Sequence, residues 1–78
     1  MQTLYEKPWS HDVVLDEDTG TYFIDVVCGG SAIYTLRVRL TAQEVEKFLA
    51  DPTSLETLAS QIAYSPNAFA DRTVKPSP

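Results

Sequence analysis

Two β-rich runs lie between Thr21 and Leu40, broken by Gly29-Gly30-Ser31, and no other stretch constrains the fold as much. Thr21 to Cys28 (TYFIDVVC) is rich in β-branched and aromatic residues, which suit a pleated, half-buried surface. From Tyr34 onward the second run alternates: Tyr34, Leu36, Val38 and Leu40 against Thr35, Arg37 and Arg39. That period of two belongs to a strand with one buried face. Apolar pattern then selects the register. A two-residue Gly29-Gly30 loop would pair Ile24 with Thr35 and Tyr22 with Arg37. A three-residue loop, Gly29 to Ser31, pairs Val26 with Tyr34, Ile24 with Leu36 and Tyr22 with Val38, keeping the apolar partners on one face. The three-residue loop is the expectation.

Upstream, Asp12 to Leu15 is a short apolar run followed by the turn cluster Asp16-Glu17-Asp18-Thr19-Gly20. A four-residue loop, Glu17 to Gly20, sets Leu15 and Val13 beside Tyr22 and Ile24 on the core face. Gly20 is free to take the positive φ that such a turn asks for.

The second half reads as helix. Thr41-x-x-Glu44 is a capping-box signature opening a helix to about Ala50, with Val45, Phe48 and Leu49 on one stripe. Asp51-Pro52 ends it. Thr53-x-x-Glu56 is a second box, and Leu55, Leu58, Ala59, Ile62 and Ala63 follow at helical spacing. Ser65-Pro66 looks like another N-cap, opening a short turn that returns Phe69 to the core. The expected order is β-β-β-α-α plus a final helical turn. It is an α+β domain over residues 1–71, with an antiparallel three-stranded sheet and two helices packed on one face. A segment around Leu4 and Tyr5 is a candidate fourth strand, and Arg72 to Pro78 (RTVKPSP) is expected to be a flexible tail.

Size and charge narrow the function. A chain of 78 residues is one domain and buries only about 60% of its unfolded surface. Its net charge of −5 withholds the positive field that binds phosphates, so nucleic acid is an unfavoured partner. No apolar run approaches the length of a membrane-spanning helix, and Met1 to Ser10 lacks the apolar core of a signal peptide. A single Cys and a single His form no structural zinc site, and the lone thiol suits the cytoplasm. No cofactor motif is present, since Gly29-Gly30 leads into a strand and not a helix.

The stretch from Leu36 to Arg72 carries LRVRLTAQEV at Leu36 to Val45, LETLASQI at Leu55 to Ile62 and SPNAFADR at Ser65 to Arg72. In these segments it resembles small acidic bacterial proteins of uncharacterised families, some of them toxin-immunity proteins. The resemblance implies a partner-binding role without catalysis and assigns no functional residue.

Candidate interaction residues come from the hairpins. In the three-residue register Phe23, Val27 and Ile33 point away from the helices, with Arg37 facing Phe23 across the strands. An apolar patch rimmed by arginine is the chemistry of a protein interface. The alternative is that Leu4, Tyr5, Pro8 and Trp9 fold over it. Asp16, Glu17 and Asp18 at the first turn, with Asp25 on the outer face, would meet a basic surface on a partner. Read as an EF-hand, the same loop fails, because Gly20 and Val27 stand where ligands are wanted. Tyr22, Tyr34 and Tyr64 are candidate linings for a small-ligand site. Cys28 and His11 fall diagonally on one face, but a nucleophilic pair also needs an orienting group, and Asp12 points the other way. The expectation is therefore a non-enzymatic, cytoplasmic module that binds another protein, as an immunity-type inhibitor would, through Asp16, Glu17, Asp18, Asp25, Phe23, Val27, Ile33 and Arg37. The competing expectation is a homo-oligomer paired through the same face.

Overall fold

The computed structural model describes residues 2–8, 10–29 and 33–74, with Gly29, Ile33 and Pro66 described in the backbone only. The chain is α+β. Among the described residues, five strands form an antiparallel sheet in the order β1-β2-β3-β4-β5. They are β1 (Gln2–Lys7), β2 (His11–Asp16), β3 (Thr21–Gly29), β4 (Ile33–Arg39) and β5 (Thr73–Val74). Between β4 and β5 come helix α1 (Ala42–Ala50), a 3-10 turn (Pro52–Leu55), helix α2 (Glu56–Tyr64) and a second 3-10 segment (Pro66–Arg72).

The first hairpin forms in the expected register, with Asp16 opposite Thr21, Leu15 opposite Tyr22 and Val13 opposite Ile24. Its turn is built from side-chain and backbone chemistry together. Asp16 Oδ1 accepts the Asp18 N–H at 3.1 Å, and the Gly20 N–H donates to the Asp16 carbonyl at 2.7 Å. Gly20 sits at φ +70°, and a Cβ there would meet nothing within 4 Å. The backbone angle, not crowding, is what calls for glycine.

The second hairpin departs from expectation. Val26 pairs with Leu36, Ile24 with Val38 and Asp25 with Arg37, two residues along β4 from the expected partners. Three residues still separate the strands, but they are 30–32, which lie outside the described residues. The slip has a physical cause. It draws Leu40, whose N–H donates to the Tyr22 carbonyl at 2.9 Å, into the core, and it sets Asp25 opposite Arg37 instead of Thr35. A shift of two residues leaves every side chain on its own face, so apolar alternation could not detect it.

Two further strands extend the sheet beyond the expected three. The segment around Leu4 and Tyr5 is the candidate fourth strand realised as β1, with a register break between Thr3 and Tyr5 that leaves Leu4 unpaired as a bulge. The expected tail is corrected for its first residues. Arg72 donates from Nε and Nη2 to the Arg39 carbonyl, at 3.2 and 2.9 Å, and pairs with Glu44. Thr73 and Val74 then pair with Val38 and Arg37. The remainder of that tail, 75–78, lies outside the described residues.

The core gathers Val13, Ile24, Val26 and Val38 from the sheet with Leu40, Phe48, Leu55, Ala59 and Ile62. Leu4, Tyr5, Val45, Leu58 and Phe69 pack against it. Tyr5 meets Phe48 edge to face, centroids 6.3 Å apart. Thr41 caps α1 in a complete capping box: Thr41 Oγ1 accepts the Glu44 N–H and Glu44 Oε1 accepts the Thr41 N–H. The second expected box does not form. Asp51 takes the Thr53 N–H and hydroxyl instead, starting the 3-10 turn, and α2 begins without a side-chain cap. Ser65 likewise makes no side-chain cap, although Phe69 does return to the core. Leu49 and Ala63 are exposed, so the apolar stripes are narrower than their periodicity suggests.

Candidate functional site

Alternation divides the sheet into two faces. The face away from the core is built in cross-strand rows. One row runs Glu6, Asp12, Asp25, Arg37 and Val74, and the next runs Thr3, Val14, Phe23 and Arg39. Val27 stands opposite Thr35, and Asp16 opposite Thr21, at the two ends. Phe23, Val27, Asp25, Arg37 and Asp16 thus share this outer face, while Glu17 and Asp18 lie on the turn beside it. Ile33 pairs with Gly29 in the backbone, and its side chain lies outside the described residues, as does Trp9. Leu4 and Tyr5 pack on the core side, so those two residues do not cover the outer face.

Phe23 is not an open anchor. It is 9% exposed, its strand partner Val14 is 6% exposed, and the Arg37 guanidinium stands 5.7 Å from the Phe23 ring centroid. The pairing of Arg37 accounts for its place over the ring. Arg37 faces Asp25 directly, with Nε and Nη2 donating to the two carboxylate oxygens at 2.7 and 2.8 Å, and this holds the guanidinium diagonally over Phe23. The Asp25 hydrogen bonds raise the Arg37 pKa above its ordinary value. What remains available on the face is half-buried Val27, exposed Val74 beside Arg37, and charge.

The charge is mostly acidic. Among the described residues, no ion pair engages Glu6, Asp12, Asp16, Glu17 or Asp18. Glu6, Asp12 and Asp25 line a notch of about 360 Å³ together with Lys7, Pro8, His11, Val27 and Thr35. Sequence reasoning missed Glu6 and Asp12 as members of this surface. The signal for Asp12 was present in the alternation of β2, whereas Glu6 required knowing that β1 joins the sheet.

The other candidate sites do not assemble. No group of three or more metal-ligating side chains occurs among the described residues. Cys28 and His11 make separate hydrogen bonds: Cys28 Sγ to the Val26 carbonyl at 3.7 Å, and His11 Nδ1 with Ser10 Oγ at 3.2 Å. Burial pushes the Cys28 thiol up in pKa, the opposite of what activates a nucleophile. Tyr64 lines an open groove of about 550 Å³ with Thr57, Gln61, Ala68 and Phe69, to which Tyr22 and Tyr34 do not contribute. No described helix is long and apolar enough to cross a membrane. No family model matches the chain, and comparison with curated proteins and with solved structures returns no match.

Proposed function

We propose that the chain is a non-enzymatic, cytoplasmic protein-binding module whose outer sheet face and Asp16-Glu17-Asp18 turn engage a basic partner, as an immunity-type inhibitor does. The observation that carries the reading is the run of carboxylates without ion pairs among the described residues, Glu6, Asp12, Asp16, Glu17 and Asp18, on one face and its adjoining turn. Uncompensated charge of one sign speeds encounter with an opposite surface and holds it at low salt. Val27 and Val74 supply apolar contact, and the Asp25–Arg37 pair over Phe23 gives the face a fixed shape.

The competing reading, a homodimer through this face, would bring like charges together. Solution mass by light scattering, on wild type and Val27→Arg, separates the two. The proposal expects a monomer in both. A wild-type dimer that Val27→Arg converts to folded monomer would assign the face to self-association and overturn the inhibitor reading.

A further inference from the structure

His11 is the chain's single histidine, and it is 1% exposed on the core side of β2. Its ring stacks on Tyr5 of β1, with centroids 5.5 Å apart and planes 26° from parallel. Nδ1 meets Ser10 Oγ, and Nε2 has no hydrogen-bond partner among the described residues. A buried imidazole in this setting is accommodated as the neutral ring. A second ring proton would create a cation with one acceptor for two N–H groups, and a buried, unpaired charge is costly.

The charged groups around it come from three elements. Lys7 of β1 opposes a cation at His11, while Glu56 at the start of α2 and Asp12, its chain neighbour on the other face, favour one. Glu56 is already engaged by Lys7 in an ion pair. From β3, Val26 lies opposite His11, and Cys28, the next residue on that face, is held protonated by burial. Burial dominates, so the His11 pKa lies below its ordinary value. The Lys7–Glu56 pair ties edge strand β1 to α2, and the Tyr5–His11 stack seats the same strand on β2.

We propose that His11 is an acid-sensitive latch for the edge strand: with the ring neutral β1 stays docked, and protonation of the ring releases β1 from β2 and α2 while β2, β3 and β4 remain paired. Once β1 detaches, the ring reaches water, which supplies the missing acceptor. The Lys7–Glu56 pair opens with it, because Lys7 leaves with the strand. The sign follows from linkage. The open state binds its proton near pH 6.5 and the closed state only at lower pH, so closure is complete above about 6.5 and is lost progressively below it. Histidine is the one side-chain type whose ordinary titration falls in that range, and the chain has a single His.

The test is amide hydrogen exchange, corrected for intrinsic pH dependence, on wild type and His11→Phe, with His11 titrated directly by NMR. The latch predicts a His11 pKa below 6.5. It predicts that β1-to-β2 amides exchange faster than those between β3 and β4 at every pH. It also predicts that β1 opening rises up to about tenfold between about pH 7.5 and about pH 5.5, and stays flat in His11→Phe. A His11 pKa at or above 6.5 overturns the proposal without recourse to any variant. So does β1 exchange that matches β3 throughout, which would show only global unfolding, or an acid response that survives in His11→Phe.

Discussion

The Asp25–Arg37 pair makes a quantitative prediction about the outer face. Two parallel hydrogen bonds join the groups at 2.7 and 2.8 Å, and the side chains are 15% and 22% exposed respectively. Exposed pairs contribute about 0–1 kcal/mol. Breaking a fully buried pair costs about 3–5 kcal/mol, because a charge is stranded. This pair lies between those limits, and its bidentate geometry places it above the exposed median. The guanidinium over Phe23 adds about 0.5–1 kcal/mol. Arg37→Met should therefore lower the unfolding free energy by about 2–3 kcal/mol, since it strands Asp25 and uncovers Phe23. Asp25→Asn should cost about 1–2 kcal/mol, since one acceptor oxygen survives. Urea unfolding of both single variants and the double variant, near neutral pH, gives the coupling energy, expected at about 1–2 kcal/mol. High salt should reduce that coupling only in part, because the pair is mostly buried. A coupling below about 0.3 kcal/mol would refute the claim that this pair shapes the face.

Other perturbations test the rest of the fold. Ile62→Ala, at a fully buried core position, should cost about 2–5 kcal/mol in the same urea assay, and a loss under about 1 kcal/mol would deny α2 its place in the core. Thr41→Ala should cost about 1 kcal/mol through the lost cap. Glu44→Ala should cost more than Thr41→Ala, because it also frees Arg72 and with it the anchor of β5, and equal losses would contradict that anchor. The Asp51 carboxylate accepts from the Thr53 hydroxyl and N–H, which hold it below its usual range; its stabilising contribution is present above about pH 3.8 and is lost as pH falls through the lower folded value, so Asp51→Asn should flatten the acid limb of a stability profile. Iodoacetamide near pH 7.5 should modify Cys28 far more slowly in the folded chain than in urea, and equal rates would contradict its burial.

Local signals account for what was legible in the sequence. The first hairpin was readable because its turn closes through neighbours: Asp18 and Gly20 both donate their N–H groups to Asp16. The α1 cap was readable for the same reason. The second cap was misread because Thr53-x-x-Glu56 competes with Asp51, whose carboxylate reaches the same N–H from two residues upstream. β5 was illegible because two residues have no period, and its pairing depends on Arg72 reaching Arg39 and Glu44, far away in sequence. The slip in β4 was invisible to hydrophobic pattern and was decided by Asp25 meeting Arg37. For the candidate site, the acidic turn and the outward Phe23 and Val27 were readable. The burial of Phe23 was not, since it depends on Val14 beside it and on the Asp25–Arg37 pair that holds the guanidinium near the ring.

The proposed binding of a basic protein by the acidic turn and outer face is open to direct measurement. The direct measurement is retention of lysate proteins at low salt on immobilised wild type, beside a triple variant Asp16→Asn, Glu17→Gln and Asp18→Asn of unchanged fold. A discrete basic protein should be held by wild type, released by raised salt and lost by the variant. Equal retention on both surfaces, or binding indifferent to salt, would contradict it.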